Sequence, residues 1–180
     1  MMSKSPLSNL DKSNETPILE NQEFRRVYKN LDQLILILLI LVLPLFGMIY
    51  LYQSSGEIKW DLPELPVVVG QILSGAGIGL LLAQYLLFHK KIKAVFHTDE
   101  LLMKLKIYAS ATRERYFILF VVALICSAGL LFFGSAIYNV IFAVALFFFS
   151  VAKPTPERIK KLLKLTKEDA EIIRLASRPD

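Results

Sequence analysis

The chain has 180 residues, of which 54% are hydrophobic and 21% charged, and its formal net charge is +5. A mean hydropathy of +0.49, with the apolar residues gathered in long blocks, excludes an independent soluble catalytic domain and argues for residence in a membrane. The single cysteine, Cys126, excludes an internal disulfide framework, a CxxC redox pair and a cysteine-based structural zinc site.

Residues 1–22 carry Pro6, Pro17 and many Ser, Asn and Asp without apolar periodicity, and are expected to form a disordered N-terminal tail. A cleaved signal peptide is not expected, because the first apolar run begins only after about thirty polar residues. From Asn21, the residues Phe24, Val27, Tyr28 and Leu31 recur at helical spacing and lead into the first span.

Residues 34–52 form an uncharged run of nineteen, about the length that crosses roughly 30 Å of hydrocarbon at 1.5 Å rise per residue. Its Leu, Ile, Val and Phe side chains supply an insertion gain of about −4 to −8 kcal/mol. Pro44 and Gly47 do not cancel that gain, although the proline removes one backbone donor. The second span is 66–88, with Pro66 near its first turn, where a missing N–H costs little, and His89, Lys90 and Lys91 at its end. Residues 117–152 then run apolar for thirty-six positions with Gly134 and Ser135 near the middle, which reads as a hairpin of two spans, 116–133 and 136–152. Arg115 and Lys153 are expected to snorkel toward headgroups. One tilted helix is the alternative, and it would measure about 54 Å.

The predicted fold class is therefore all-α, a polytopic membrane protein. It comprises a four-helix transmembrane domain over 23–152, a cytoplasmic helical hairpin over about 89–115, and a short amphipathic C-terminal helix pair over 153–180. All but one of the 21 Lys and Arg residues lie outside the 53–65 loop, which holds only Lys59. The positive-inside rule then places both termini in the cytoplasm. Trp60 in that loop is expected to anchor at the interface.

On the cytoplasmic side, Thr98 and Asp99 can cap a helix whose Leu101, Leu102, Leu105 and Tyr108 form an apolar stripe. Ile92, Val95 and Phe96 continue the period of the second span, so the hairpin is expected to turn near His97. Its two extensions either pack on each other or present a docking surface. In the tail, Thr155 is a good N-cap, with Pro156 at the first helical position and Glu157 favoured by the helix dipole. Ile159, Leu162 and Leu163 share one face, while Lys160, Lys161 and Lys164 lie elsewhere. That helix either lies on an anionic lipid surface or covers the cytoplasmic hairpin. Thr166 and Asp169 resemble a capping box that opens a second short helix.

Charge within hydrocarbon marks ion pathways and proton relays, and the spans as drawn contain none. Their polar residues are Gln71, Ser74, Gln84, Ser127, Ser135, Asn139 and Cys126, besides several tyrosines. Helix-to-helix bonding is the simplest role for them; Gln71, Gln84 and Asn139 would line an intramembrane polar site if one exists. The clearest packing signal is the GxxxG pair Gly75 and Gly79, extended by Gly70 and Ser74, which lets helix backbones approach closely. It predicts that the second span is central, packing within the chain or in a homodimer. His89 and His97 give no convergent ligand set, so no metal and no cofactor are expected. No GxSxG, P-loop, HExxH or dinucleotide fingerprint occurs. Nucleic acid is set aside as a partner, because the positive excess follows the inside rule and no base-reading fold appears.

Over residues 98–169, the stretch KLKIYASATRERYFILFVVALICSAGLLFFGSA followed by KPTPERIKKLLKL resembles small four-span inner-membrane proteins that recur in Bacteroidota. Arg113, Glu114 and Arg115 match a charged cluster opening a span in that group; Pro154, Thr155, Glu157 and Ile159 match its PTxExI tail motif. The resemblance implies a bacterial inner-membrane location and supplies no activity. For the charged cluster it leaves ion pairing and capping at the membrane boundary. The expected role is a non-catalytic accessory or scaffolding subunit that meets the lipid bilayer and a second copy or another membrane protein. The alternatives are a transporter or channel component for a neutral or amphipathic solute, and a membrane enzyme using Arg113, Glu114 and His89 or His97 at the cytoplasmic interface.

Overall fold

A computed structural model describes residues 7–56, 63–95 and 101–165. These form five helices: α1 Leu7–Ser55, α2 Val67–Val95, α3 Leu101–Phe133, α4 Ala136–Ala152 and α5 Pro156–Leu163. The chain is all-α, without strands among the described residues. Trp60, His97, the cap at Thr98 and Asp99, and the tail helix expected from Thr166 lie outside them.

Three of the helices, over Arg25–Ser55, Val67–Lys93 and Leu101–Phe133, are long and apolar enough to cross a membrane. A fourth qualifies when α4 is taken together with α5, from which it is bent by 86°. With its 17 residues, α4 alone reaches about 26 Å. Such a set is compatible with a multi-pass membrane protein. α1 departs from the expected tail: the helix begins at Leu7 rather than near Asn21 and runs for 49 residues. Extending an existing helix costs far less than nucleating one, so a polar segment joined to a long apolar helix can continue it, even past Pro17.

The helices alternate in direction. Gln53, near the end of α1, donates through Nε2 to the carbonyl oxygens of Leu130 (2.9 Å) and Leu131 (3.1 Å) near the end of α3, so α1 and α3 run parallel. Gly70 of α2 lies against the Phe133 ring, while Phe88 meets Tyr108 edge-on, so α2 is antiparallel to α3. Tyr116 of α3 donates to the Phe149 carbonyl oxygen of α4 at 3.0 Å, which fixes the α3–α4 hairpin in the same sense. Its two-residue turn depends on Gly134 at φ +59, whose N–H closes on the Leu130 carbonyl oxygen at 2.9 Å.

The centre of the bundle is α3, not α2 as the glycine pattern predicts. The buried α3 residues Leu105, Tyr108, Thr112, Arg115, Leu119, Val122, Cys126 and Gly129 alternate in spacing between three and four. That is the period of a helix seam shared with several neighbours. α1, α2 and α4 all pack on it. Where lipid is as apolar as leucine, burial itself drives little association, and close packing and hydrogen bonds between helices decide the arrangement.

A second cluster lies at the opposite end of the bundle from Gly134. There Ile159 and Leu163 of α5 are buried with Phe88, Ile92 and Val95 of α2 and Leu105, Tyr108 and Ala111 of α3. The apolar face of α5 therefore covers the hairpin extensions, while Lys160 and Lys161 remain exposed. The local chemistry follows the sequence. Thr155 caps the helix by accepting from the Arg158 N–H at 3.4 Å, and Lys164 closes it in the left-handed region at φ 49.

Candidate functional site

The 3–4 seam of α3 turns one charged side chain into the bundle. Residues 113, 114 and 115 project at successive angles of about 100°. Arg113 and Glu114 consequently face outward while Arg115 is only 9% exposed. The Arg115 Nε–H donates to Oε1 of Gln84 on α2 at 2.7 Å. Its guanidinium carbon lies 4.9 Å from the ring centroid of Phe88 and 5.8 Å from that of Phe148, so aromatic faces of α2 and α4 replace water around the cation. Among the described residues, no carboxylate pairs with Arg115. Arg158 of α5 lies near enough to add to the positive potential there.

This arrangement corrects the expectation that Arg115 snorkels to headgroups within one boundary cluster: just before the span drawn from residue 116, its side chain turns into the bundle instead. The cluster is split. Glu114 forms an ion pair with Lys91 of α2 on the surface, whereas Arg115 lies on the same seam as Thr112 and Leu119 and finds a niche built by α2 and α4. A polar group taken out of water is costly unless it is bonded. Gln84, fully buried, supplies that bond but leaves its own Nε2 without a partner, and the buried Thr112 Oγ1 is likewise unpaired among the described residues.

The other polar positions do not join this pair. Gln71 is exposed on α2, thirteen residues and about 20 Å along the helix from Gln84. Asn139 on α4 is half-buried with Oδ1 unpartnered, and no hydrogen bond links it to Gln71 or Gln84 among the described residues. Ser74 bonds back to the Gln71 carbonyl oxygen at 3.0 Å in its own helix. His89 lies exposed over the Tyr85 ring, with Nδ1 2.9 Å from the Tyr85 carbonyl oxygen. Among the described residues no group of three or more His, Cys, Asp or Glu is arranged to hold a metal ion.

The small residues divide in the same way. A Cβ at Gly70 would lie 3.1 Å from the Phe133 ring, and one at Gly77 would lie 3.4 Å from Ile141, so both glycines lie at close approaches. Gly75 and Gly79, the predicted packing pair, have nothing within 4 Å of a Cβ. The GxxxG face of α2 points away from the other described helices. The sequence reading missed the tightest approach, Gly129 under the Tyr138 ring, and the interhelical bonds of Tyr116 and Tyr138. The available signal was a tyrosine at hydrocarbon depth, whose hydroxyl has to find an acceptor on a neighbouring helix.

Comparison with family models, with curated proteins and with solved structures returns no match for this chain.

Proposed function

We propose that this chain is a non-catalytic scaffolding or accessory subunit of a bacterial inner membrane, crossing it four times with both termini in the cytoplasm. The observation that carries the reading is the outward GxxxG face of α2. Gly75 and Gly79 are open while exposed Ile72, Ile78, Leu82 and Leu86 surround them. In lipid, such a face contributes nothing to its own bundle and allows the backbone of another span to approach closely. The asymmetry of Lys and Arg supports the orientation, and the PTxExI resemblance supports the location.

The test is affinity purification in mild detergent, comparing the native chain with the double variant Gly75→Leu/Gly79→Leu. A stoichiometric membrane partner, or a second copy, held by the native chain and lost by the variant supports the scaffold. Equal recovery of that partner by both chains removes its basis.

A second reading, a solute-handling component, draws on one specific observation: the buried Arg115 and Gln84 with the unpaired amide nitrogen of Gln84. Charge in hydrocarbon is costly and often serves a pathway. Uptake of solute into vesicles holding the purified chain, abolished by Gln84→Leu in a folded protein, would favour it over the scaffold.

A further inference from the structure

α4 ends where an apolar run gives way to charge, and α5 starts there. Ala152, the last residue of α4, is followed by the exposed Lys153 and then, after Pro154 and Thr155, by α5. The axis of α5 is bent by 86° from that of α4. With α4 crossing the membrane, a helix bent so sharply and so close to its end lies nearly flat at the level of the headgroups.

Successive residues of a helix turn by about 100°, so the sides of α5 can be told apart. Ile159 and Leu163 form the face buried against α2 and α3. Arg158 and the half-buried Leu162, four residues apart, share one flank of that face, while Glu157 and Lys160 share the other; Lys161 points away from it. Arg158 identifies the flank that faces the membrane. Its charge acts on Arg115 and Tyr116, where α3 enters its apolar run. The flank of Arg158 and Leu162 is therefore turned toward the hydrocarbon, and that of Glu157 and Lys160 away from it. Arg158, Lys160 and Lys161 are all exposed, as is Glu157. Over 153–180 the sequence holds eight Lys and Arg against five Asp and Glu, so the segment containing α5 is cationic as a whole.

We infer that the flank of α5 bearing Arg158, with Lys161 beside it, is a docking surface for the headgroups of acidic phospholipids. Arg158 and Lys161 meet the phosphates, and Leu162 rests at the acyl boundary. The two placements that the sequence allows for this helix are then met at once, because the bundle takes one face and the lipid another. A free amphipathic helix buries its apolar face in the bilayer. Here Ile159 and Leu163 are already covered by protein, so the hold on lipid is mainly electrostatic, and each cation near the anionic surface adds its own share. Acidic lipid consequently favours the docked position of α5. The inference rests on the membrane-spanning reading and not on the scaffold role.

The test uses the full chain in lipid nanodiscs of phosphatidylcholine, with and without phosphatidylglycerol of the same acyl chains, and reads hydrogen exchange at the α5 amides. Phosphatidylglycerol is expected to slow exchange in the native chain. Arg158→Gln should give up about fivefold of that protection, and Arg158→Gln/Lys161→Gln more. Lys160→Gln, which removes the same charge from the far flank, should keep it. Depth is read with a fluorophore on a single cysteine in a Cys126→Ala background. At Leu162→Cys it should be quenched by a spin-labelled lipid, and at Glu157→Cys by aqueous iodide. Exchange indifferent to phosphatidylglycerol overturns the proposal, as do equal losses in Arg158→Gln and Lys160→Gln, or lipid quenching that is absent at position 162 or present at position 157. A chain recovered from detergent-free supernatant overturns the membrane reading itself, a result seen before any nanodisc is formed.

Discussion

The ring of Tyr138 occupies the space that a side chain at Gly129 would fill, and from there its hydroxyl donates to the Gly70 carbonyl oxygen at 2.8 Å. One missing Cβ on α3 thus lets a residue of α4 reach across to α2, and three helices meet at one phenol. Gly129→Ala should overpack this contact and destabilise the bundle by about 1–3 kcal/mol. Gly79→Ala, into open space, should leave thermal stability in detergent unchanged or slightly raised, since alanine favours helix over glycine by about 1 kcal/mol. A melting comparison of the two variants checks both; equal destabilisation would contradict the packing described for α2.

Removing only the acceptor of the buried cation should cost more than removing both partners. Gln84→Leu leaves the Arg115 Nε–H without its bond, and losing a hydrogen bond to a buried charged group costs about 1.5–3 kcal/mol. In Gln84→Leu/Arg115→Met no unpaired charge remains, and much of the loss should be recovered. A double-mutant cycle on chemical or thermal unfolding measures the coupling. Additive effects would mean that the two side chains do not interact.

The tyrosine hydroxyls give a smaller and separable signal. Tyr116→Phe removes the bond to the Phe149 carbonyl oxygen and Tyr138→Phe the bond to Gly70, while the rings stay in place. Each should lower stability by about 0.6 kcal/mol, within the range measured for bonds between spans. Tyr116→Ala, which also empties the ring volume, should cost about 3–5 kcal/mol. The ratio between the two kinds of change, read from unfolding curves, separates bonding from packing.

Cys126 is fully buried on the α3 seam. A water-soluble maleimide should therefore leave the folded chain unlabelled and modify it completely after denaturation. Labelling of the native protein within minutes would show that the seam opens to water.

Alternation of the helices can be checked with single cysteines placed in a Cys126→Ala background. Positions Ser54 and Ser135 flank the ends of α1 and α3 that Gln53 holds together, and should react with an impermeant reagent from one face of sealed vesicles. Lys160 on α5 should react only from the other face. Labelling of Ser54 and Lys160 from the same side would break the alternating arrangement.

The apolar blocks, the Gly134–Ser135 break and the Thr155–Pro156 helix start were legible in the sequence because each depends on neighbours in the chain. Span length follows from a run of uncharged residues, a turn from a glycine able to adopt positive φ, and a cap from a hydroxyl three residues before a free N–H. The ends of α4, Ala136–Ala152, were legible to within about a turn, since both are marked locally by Ser135 and Pro154. The start of α1 at Leu7 was not, because continuation of a polar helix depends on the long helix it joins rather than on its own composition.

Which face of each helix is inside was decided only by tertiary structure. Glycine spacing cannot tell an approach filled by Phe133 or Tyr138 from one left open at Gly75 and Gly79, because each Cβ position is judged against an atom on another helix. The three-residue cluster at 113–115 reads as one boundary feature along the chain, yet a rotation of about 100° per residue sends Arg113 and Glu114 outward and Arg115 toward Gln84. Hydrophobicity marks the stretches that can leave water; it cannot assign their neighbours, since in an apolar solvent every greasy face is equally content and only matched shapes and hydrogen bonds distinguish them.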